Sequence, residues 1–216
     1  MQRGDDQVIA CPHCEALAKH FTLISGNTFG ARLWTDGKMI APMLPEPPPF
    51  VQCHQCRHFY WLSDARKVGL IPVMTEGTTG FPDDWLNAPY VQEPSEDAYY
   101  QALSEQVAET LDEEKFLRVL ALWKRNDSMR DLTGSGSVEM QPLSDQAKQN
   151  LETLVSLLDE SHPDEGLLKA EVLRELGQFD EARQTLQRVS SDDYQAIVQV
   201  LLFLCDQGDT MVREIG

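Results

Sequence analysis

Cys11-Pro-His-Cys14 and Cys53-His-Gln-Cys56 are the residues of this chain whose types and spacing speak most directly of chemistry: two C-x-x-C pairs separated by thirty-eight residues. Each pair forms a short turn that sets two sulfurs on adjacent corners of a tetrahedron. Two such turns complete a four-thiolate site for one ion, with metal–sulfur bonds of about 2.3 Å for zinc. The expectation is one structural Zn2+ per chain, held by Cys11, Cys14, Cys53 and Cys56. Four thiolates saturate the ion and leave no open position for water or substrate, which argues against catalysis at the metal. His13 and His54 lie inside the pairs and are expected to face solvent, with His20 and His58 beside the site. Cys205, in an apolar stretch, reads as a small buried hydrophobe.

Thiol chemistry is the competing use of these residues. Cys-Pro-His-Cys is also the tetrapeptide of strongly oxidising thiol oxidases, where it lowers a thiol pKa at the start of a helix. That setting needs a preceding strand and a βαβ context; here ten residues precede the motif and a second pair follows. A zinc-linked redox switch, which gives up its metal when the four cysteines oxidise, is the version of the idea that survives.

The elements that must position the pairs are short and β-like. Ala31–Trp34, Lys38–Ala41, Phe50–Cys53 and Arg57–Leu62 read as strands, with Asp36-Gly37 as a hairpin turn between the first two. Pro45-Glu-Pro-Pro-Pro49 must be an extended connection, because four of its five residues cannot donate a backbone hydrogen bond. Residues 71–94 hold bulky groups such as Phe81, Trp85 and Tyr90 among prolines and read as an irregular strap that packs on the first domain or along a junction. From residue 95 the chain reads as helical: Ser95–Leu111, Asp112–Asn126, Ser144–Glu160, Pro163–Leu176, Phe179–Val189 and Ser191–Asp206. Ser144 before Asp145 and Pro163 in a first turn mark helix starts. Leu151, Leu154, Val155 and Leu158 make one apolar face, and Thr133-Gly-Ser-Gly-Ser137 reads as a flexible break. The fold class is therefore α+β, with domain 1–70, strap 71–94 and an all-α domain 95–216.

The cysteine pairs and strands of residues 8–62 resemble the zinc-ribbon class, whose two knuckles each open a turn between strands. Ribbon knuckles often carry Gly after the second Cys; here Glu15 and Arg57 stand there, and the insert exceeds the ~15–20 residues of compact ribbons. Rubredoxin-like iron sites use two similar pairs, so iron is the alternative ion. Glu171 to Arg188 resembles a tetratricopeptide unit: Gly177 permits the tight turn, Phe179 fills the gap between helices and Ala182 lets them approach. Gln207-Gly208-Asp209 echoes Leu176-Gly177-Gln178, although an ordinary helical hairpin meets the same physics. Gly26-Asn-Thr-Phe-Gly30 with Trp34-Thr-Asp-Gly37 is similar to a group of uncharacterised bacterial proteins, which implies no activity.

Charge narrows the function classes. Of the net charge of −17, residues 1–70 carry seven Lys/Arg and six Asp/Glu, and residues 71–216 carry eleven and twenty-nine. Such a body repels phosphate backbones and anionic membranes. No apolar run approaches the roughly 20 residues of a membrane span, and the first ten residues have no apolar signal core, so a cytoplasmic location is expected. No G-x-S-x-G, H-E-x-x-H, P-loop or dinucleotide fingerprint occurs. The reading is a non-enzymatic, zinc-binding adaptor whose stacked helices offer a groove to a protein or peptide partner. Nucleic-acid binding through Arg57-His-Phe-Tyr-Trp61, next to Arg66-Lys67, is the alternative from another class.

Overall fold

A computed structural model describes residues 1–73, 80–130 and 142–215. The chain divides into two compact units, Met1–Ala31 with Ile40–Ser95 and Arg32–Met39 with Glu96–Gly216. Both differ from the expected boundaries. Residues 71–94 belong to the first unit rather than forming a separate strap. The expected domain 1–70 loses Arg32–Met39 to the helical unit, because Trp34, Thr35 and Asp36 are buried there among groups that arrive much later in the sequence. The Thr133–Ser137 break lies outside the described residues.

In the first unit, β1 (Gln2–Ala10) is the centre of an antiparallel sheet. It pairs on one side with β2 (Leu17–Ser25), Ala10 opposite Leu17, and on the other with β7 (Arg66–Ile71), Ala10 opposite Arg66. A second antiparallel pair joins β5 (Phe50–Gln52) to β6 (Phe59–Trp61), with Val51 opposite Tyr60. Ile9, Ala18, Val51, Tyr60 and Ala65 form the core together with Cys11 and Cys53.

A short helix, α1 (Asp83–Asn87), anchors the segment after β7. Its Trp85 ring lies against Gly69 of β7, so closely that a Cβ there would stand 2.1 Å from the indole. Beyond α1, the Lys19 N–H donates to the Pro89 carbonyl and the Val91 N–H to the Lys19 carbonyl, both at 2.9 Å. The Tyr90 phenol donates to Asp6, and Lys19 and Arg3 lie over the Tyr90 ring at 5.0 and 5.9 Å. Bulky side chains thus bind an irregular segment to a sheet, as expected of a long loop rich in them.

The second unit contains α2 (Glu96–Ser104), α3 (Leu111–Arg130), α4 (Asp145–Leu157), α5 (Pro163–Glu175), α6 (Phe179–Leu186) and α7 (Gln195–Asp206). The six expected helices are present, and their ends follow local chemistry. The Ser144 hydroxyl caps α4 by accepting from the Ala147 N–H at 3.1 Å, and Pro163 opens α5. The α2 helix is shorter than expected because Gln106 takes φ 55° and the Val107 N–H turns back to the Ala102 carbonyl. Gly177 (φ 76°) and Gly208 (φ 64°) end α5 and α7 in the same way, with Gln178 N–H to Leu173 carbonyl and Asp209 N–H to Leu204 carbonyl. Leu173, Ala182 and Cys205 are buried together beside Phe179, and Leu151, Leu154 and Leu158 pack with Val119, Leu122 and Val172.

The helical unit also contains β3 (Arg32–Trp34), which makes a hairpin with β4 (Met39–Ile40) and pairs antiparallel with β8 (Glu214–Ile215). Around it runs a buried polar network. Asp36, Glu171 and Glu175 are its acids; Arg130, Arg174 and Asn126 are buried with them. Burial, followed by the neighbouring charges of Glu171 and Asp36, pushes the Glu175 carboxyl up to about 8, against Arg125 and Arg174.

Two expectations follow. Gly69→Ala forces the alanine methyl into the Trp85 ring and lowers the stability of the first unit by about 1–3 kcal/mol, measured as a shift of its denaturation midpoint. Glu175 binds a proton in the folded state at pH values where the unfolded carboxyl has lost it. Its contribution is therefore complete below about pH 4.5 and declines as pH rises toward about 8. Glu175→Gln reproduces the protonated form, so helical unfolding of that variant loses less stability between pH 5 and 8 than the parent does.

Candidate metal centre

Each C-x-x-C pair occupies the turn between two antiparallel strands: Cys11–Cys14 between β1 and β2, Cys53–Cys56 between β5 and β6. The two turns repeat one backbone pattern. The Cys11 N–H donates to the Ala16 carbonyl and the Glu15 N–H to the Cys11 carbonyl; the Cys53 N–H donates to the His58 carbonyl and the Arg57 N–H to the Cys53 carbonyl. The residue after the second cysteine is left-handed in both, with φ 61° at Glu15 and 65° at Arg57. The glycine-like conformation is thus kept at both positions without glycine. A left-handed L-residue costs roughly 1–2 kcal/mol, a strain that the two hydrogen bonds closing each turn hold in place.

The turns aim backbone donors at the leading sulfurs. The His13 N–H lies 3.5 Å from Cys11 Sγ and the Cys56 N–H 3.5 Å from Cys53 Sγ. All four expected ligands come together: their sulfurs lie within 4.8 Å of one another, with Cys11 to Cys56 at 3.8 Å and Cys14 to Cys53 at 3.7 Å. A tetrahedron with zinc–sulfur bonds of about 2.3 Å has edges of about 3.8 Å. A disulfide needs sulfurs about 2.05 Å apart. Two of the sulfur–sulfur distances therefore match edges of such a tetrahedron, and both are too long for a disulfide.

The leading cysteines of the two turns sit in unlike electrostatic environments. Burial pushes the Cys11 thiol up to about 12, against the N–H groups of His13 and Cys14. Burial acts on Cys53 in the same direction, but the N–H groups of Cys56 and Gln55, with the Cys56 and Cys11 thiols, bring it down to about 7. Four adjacent sulfurs cannot all shed their protons without a positive charge among them, which a divalent ion at this site would supply. Tyr60, packed against the cluster, has its phenol pushed upward by burial and then by the four cysteines, so it stays neutral.

The histidines stay outside the ligand group. His13 and His54 are exposed, His20 bonds the Phe21 carbonyl, and the His13 and His58 rings stack at 4.6 Å, one from each turn. Sequence reasoning anticipated the four-cysteine cluster but neither this ring pair nor the buried polar network of the helical unit. Cys205 is buried, as expected. Phe59 and Tyr60 are buried, which removes both rings from any stacking surface on Arg57–Trp61. No helix among the described residues is long and apolar enough to cross a membrane.

The molecule is an α+β protein with a four-cysteine cluster able to bind a metal ion. The chain matches no family model, no curated protein and no solved structure.

The left-handed residues give a test of the turn geometry. Arg57→Gly removes the strain while keeping the backbone bonds, and is expected to stabilise the metal-loaded first unit by up to about 1 kcal/mol. A thermal scan against the parent reads the difference, and a loss of stability would show that the Arg57 side chain matters more than its φ.

Proposed function

We propose that Cys11, Cys14, Cys53 and Cys56 hold one zinc ion as a structural, zinc-ribbon-like centre, and that the protein is a non-enzymatic adaptor. The observation that supports this reading best is the convergence of all four sulfurs within 4.8 Å, with Cys11–Cys56 and Cys14–Cys53 at 3.8 and 3.7 Å, edges of a zinc tetrathiolate. With four thiolates bound, the ion has no position left for a reacting water, so its chemistry is to cross-link two hairpins. Metal-binding energy in such a site is folding energy.

The adaptor part of the reading rests on the helical unit. Stacked antiparallel helices are a common docking surface. The unit carries thirteen Lys/Arg and twenty-six Asp/Glu, an excess that favours a basic protein segment over nucleic acid.

Metal content of the purified chain, with thiols counted before and after chelation, tests the centre. One zinc per chain and four thiols protected until chelation are expected, and Cys53→Ser should lose both the zinc and the cooperative unfolding of the first unit. Absence of metal, or its release on mild oxidation with paired cysteines, would sink the structural reading and make thiol chemistry the leading account.

A further inference from the structure

The tip of the Arg32–Met39 hairpin is held as a bound peptide is held. It is a tight turn, with Gly37 N–H to Trp34 carbonyl at 2.9 Å, Trp34 N–H to Lys38 carbonyl at 3.0 Å, and Gly37 at φ 79°. Its side chains enter the helical unit. The Trp34 ring is fully buried, with the Arg130 guanidinium 5.4 Å from its centre. The Thr35 hydroxyl donates to Glu171 Oε1 at 2.5 Å and accepts from the Arg213 N–H at 3.0 Å. The Asp36 carboxylate accepts from Asn126 Nδ2 at 2.9 Å and from Arg130, and its carbonyl accepts from Trp123 Nε1 at 2.9 Å. At the rim, Lys38 Nζ meets both Asp127 oxygens at 2.8 Å.

The walls of this cleft are set by bonds that do not involve the hairpin. Arg174 holds Glu171 through Nε at 2.8 Å and Nη2 at 2.6 Å, and its Nη2 also donates to the Met211 carbonyl at 2.9 Å. Glu175 Oε1 accepts from Asn126 Nδ2 at 2.8 Å. An arginine-braced carboxylate for a hydroxyl, an amide and a guanidinium for an acid, and a buried slot for an indole together specify a short sequence by its chemistry.

We infer that the cleft between α3 and α5, closed by β8, is a recognition site for a Trp-Thr-Asp-Gly turn, filled in cis by the chain's own residues 34–37. The site is built from the helical unit alone and does not depend on the metal centre. The tethered hairpin occupies it at an effective concentration in the ~mM range. A turn supplied from outside therefore gains entry only where the internal one is disabled.

The test uses the full chain with Trp34→Gly, Thr35→Gly and Asp36→Gly together, which keep the loop length and remove the three recognised side chains. The probe is a cyclic, fluorescein-labelled peptide with the sequence of residues 31–41. Fluorescence anisotropy should show the peptide binding this variant, and binding the parent about tenfold or more weakly. The same peptide carrying Asp36→Ala should bind the variant about tenfold or more weakly. Should the variant lose its helices, the parent peptide restores the far-ultraviolet helix signal and the Asp36→Ala peptide does not. Equal binding of the two peptides, or equal binding to parent and variant, overturns the inference. In the intact chain, Thr35→Val and Glu171→Gln are combined in a double-mutant cycle. The recognition bond predicts a coupling of about threefold or more in the folding equilibrium; strict additivity counts against it.

Discussion

The Asp36 carboxylate, 1% exposed, meets Arg130 and Asn126 inside the helical unit. Taking such a charge out of water costs several kcal/mol unless a cation and donors replace the solvent, and removing one partner leaves the other stranded. The constraint propagates. Asn126 can hold Asp36 because it also holds Glu175, and Thr35 reaches Glu171 because Arg174 braces it from the other side. Apolar clusters around Leu154 and Leu201 supply bulk burial for the unit. Hydrophobic packing is tolerant of small displacements; this network of directed bonds is not, and it fixes where one short hairpin must lie.

The first unit solves a different problem. One of its apolar clusters is centred on Ile9, Val51 and Tyr60, and two buried members of that cluster are cysteines. The paired turns converge on the four-cysteine cluster, and their left-handed Glu15 and Arg57 show the backbone adopting an unfavourable conformation to place four sulfurs. One unit is organised by a candidate metal centre and the other by buried ion pairs.

The cysteine pairs were legible because ligand chemistry tolerates few residue types and the spacing is local. The helices were legible from periodicity, from Ser144 and Pro163, and from the glycines at 177 and 208. Strand β1 was not, because Gln2–Gln7 is polar and a central strand of that composition has no apolar signature; its register comes from β2 and β7. The Asp-Gly turn at 36–37 was read correctly as a hairpin and placed in the wrong unit. Turn chemistry is local, whereas the helical-unit partners of Thr35 and Asp36 lie 87 to 178 residues further along. Nothing in Trp34-Thr-Asp-Gly37 announces a buried acid, since the same four residues serve equally well in a solvent-facing loop.

The separation of Thr35 from Glu171 by 136 residues also orders events during synthesis. At roughly 5–20 residues per second, the ribosome needs roughly 7–27 s after making the hairpin to make its far wall. A hairpin forms in roughly 1–10 µs, so this one has on the order of millions of folding times in which to form and reopen while the Trp34 indole and the Asp36 charge lack their final surroundings. Residues 40–95 emerge in that interval and contain all the remaining strands of the first unit. The nascent chain can therefore complete one unit while the hairpin of the other still lacks the helices that bury it.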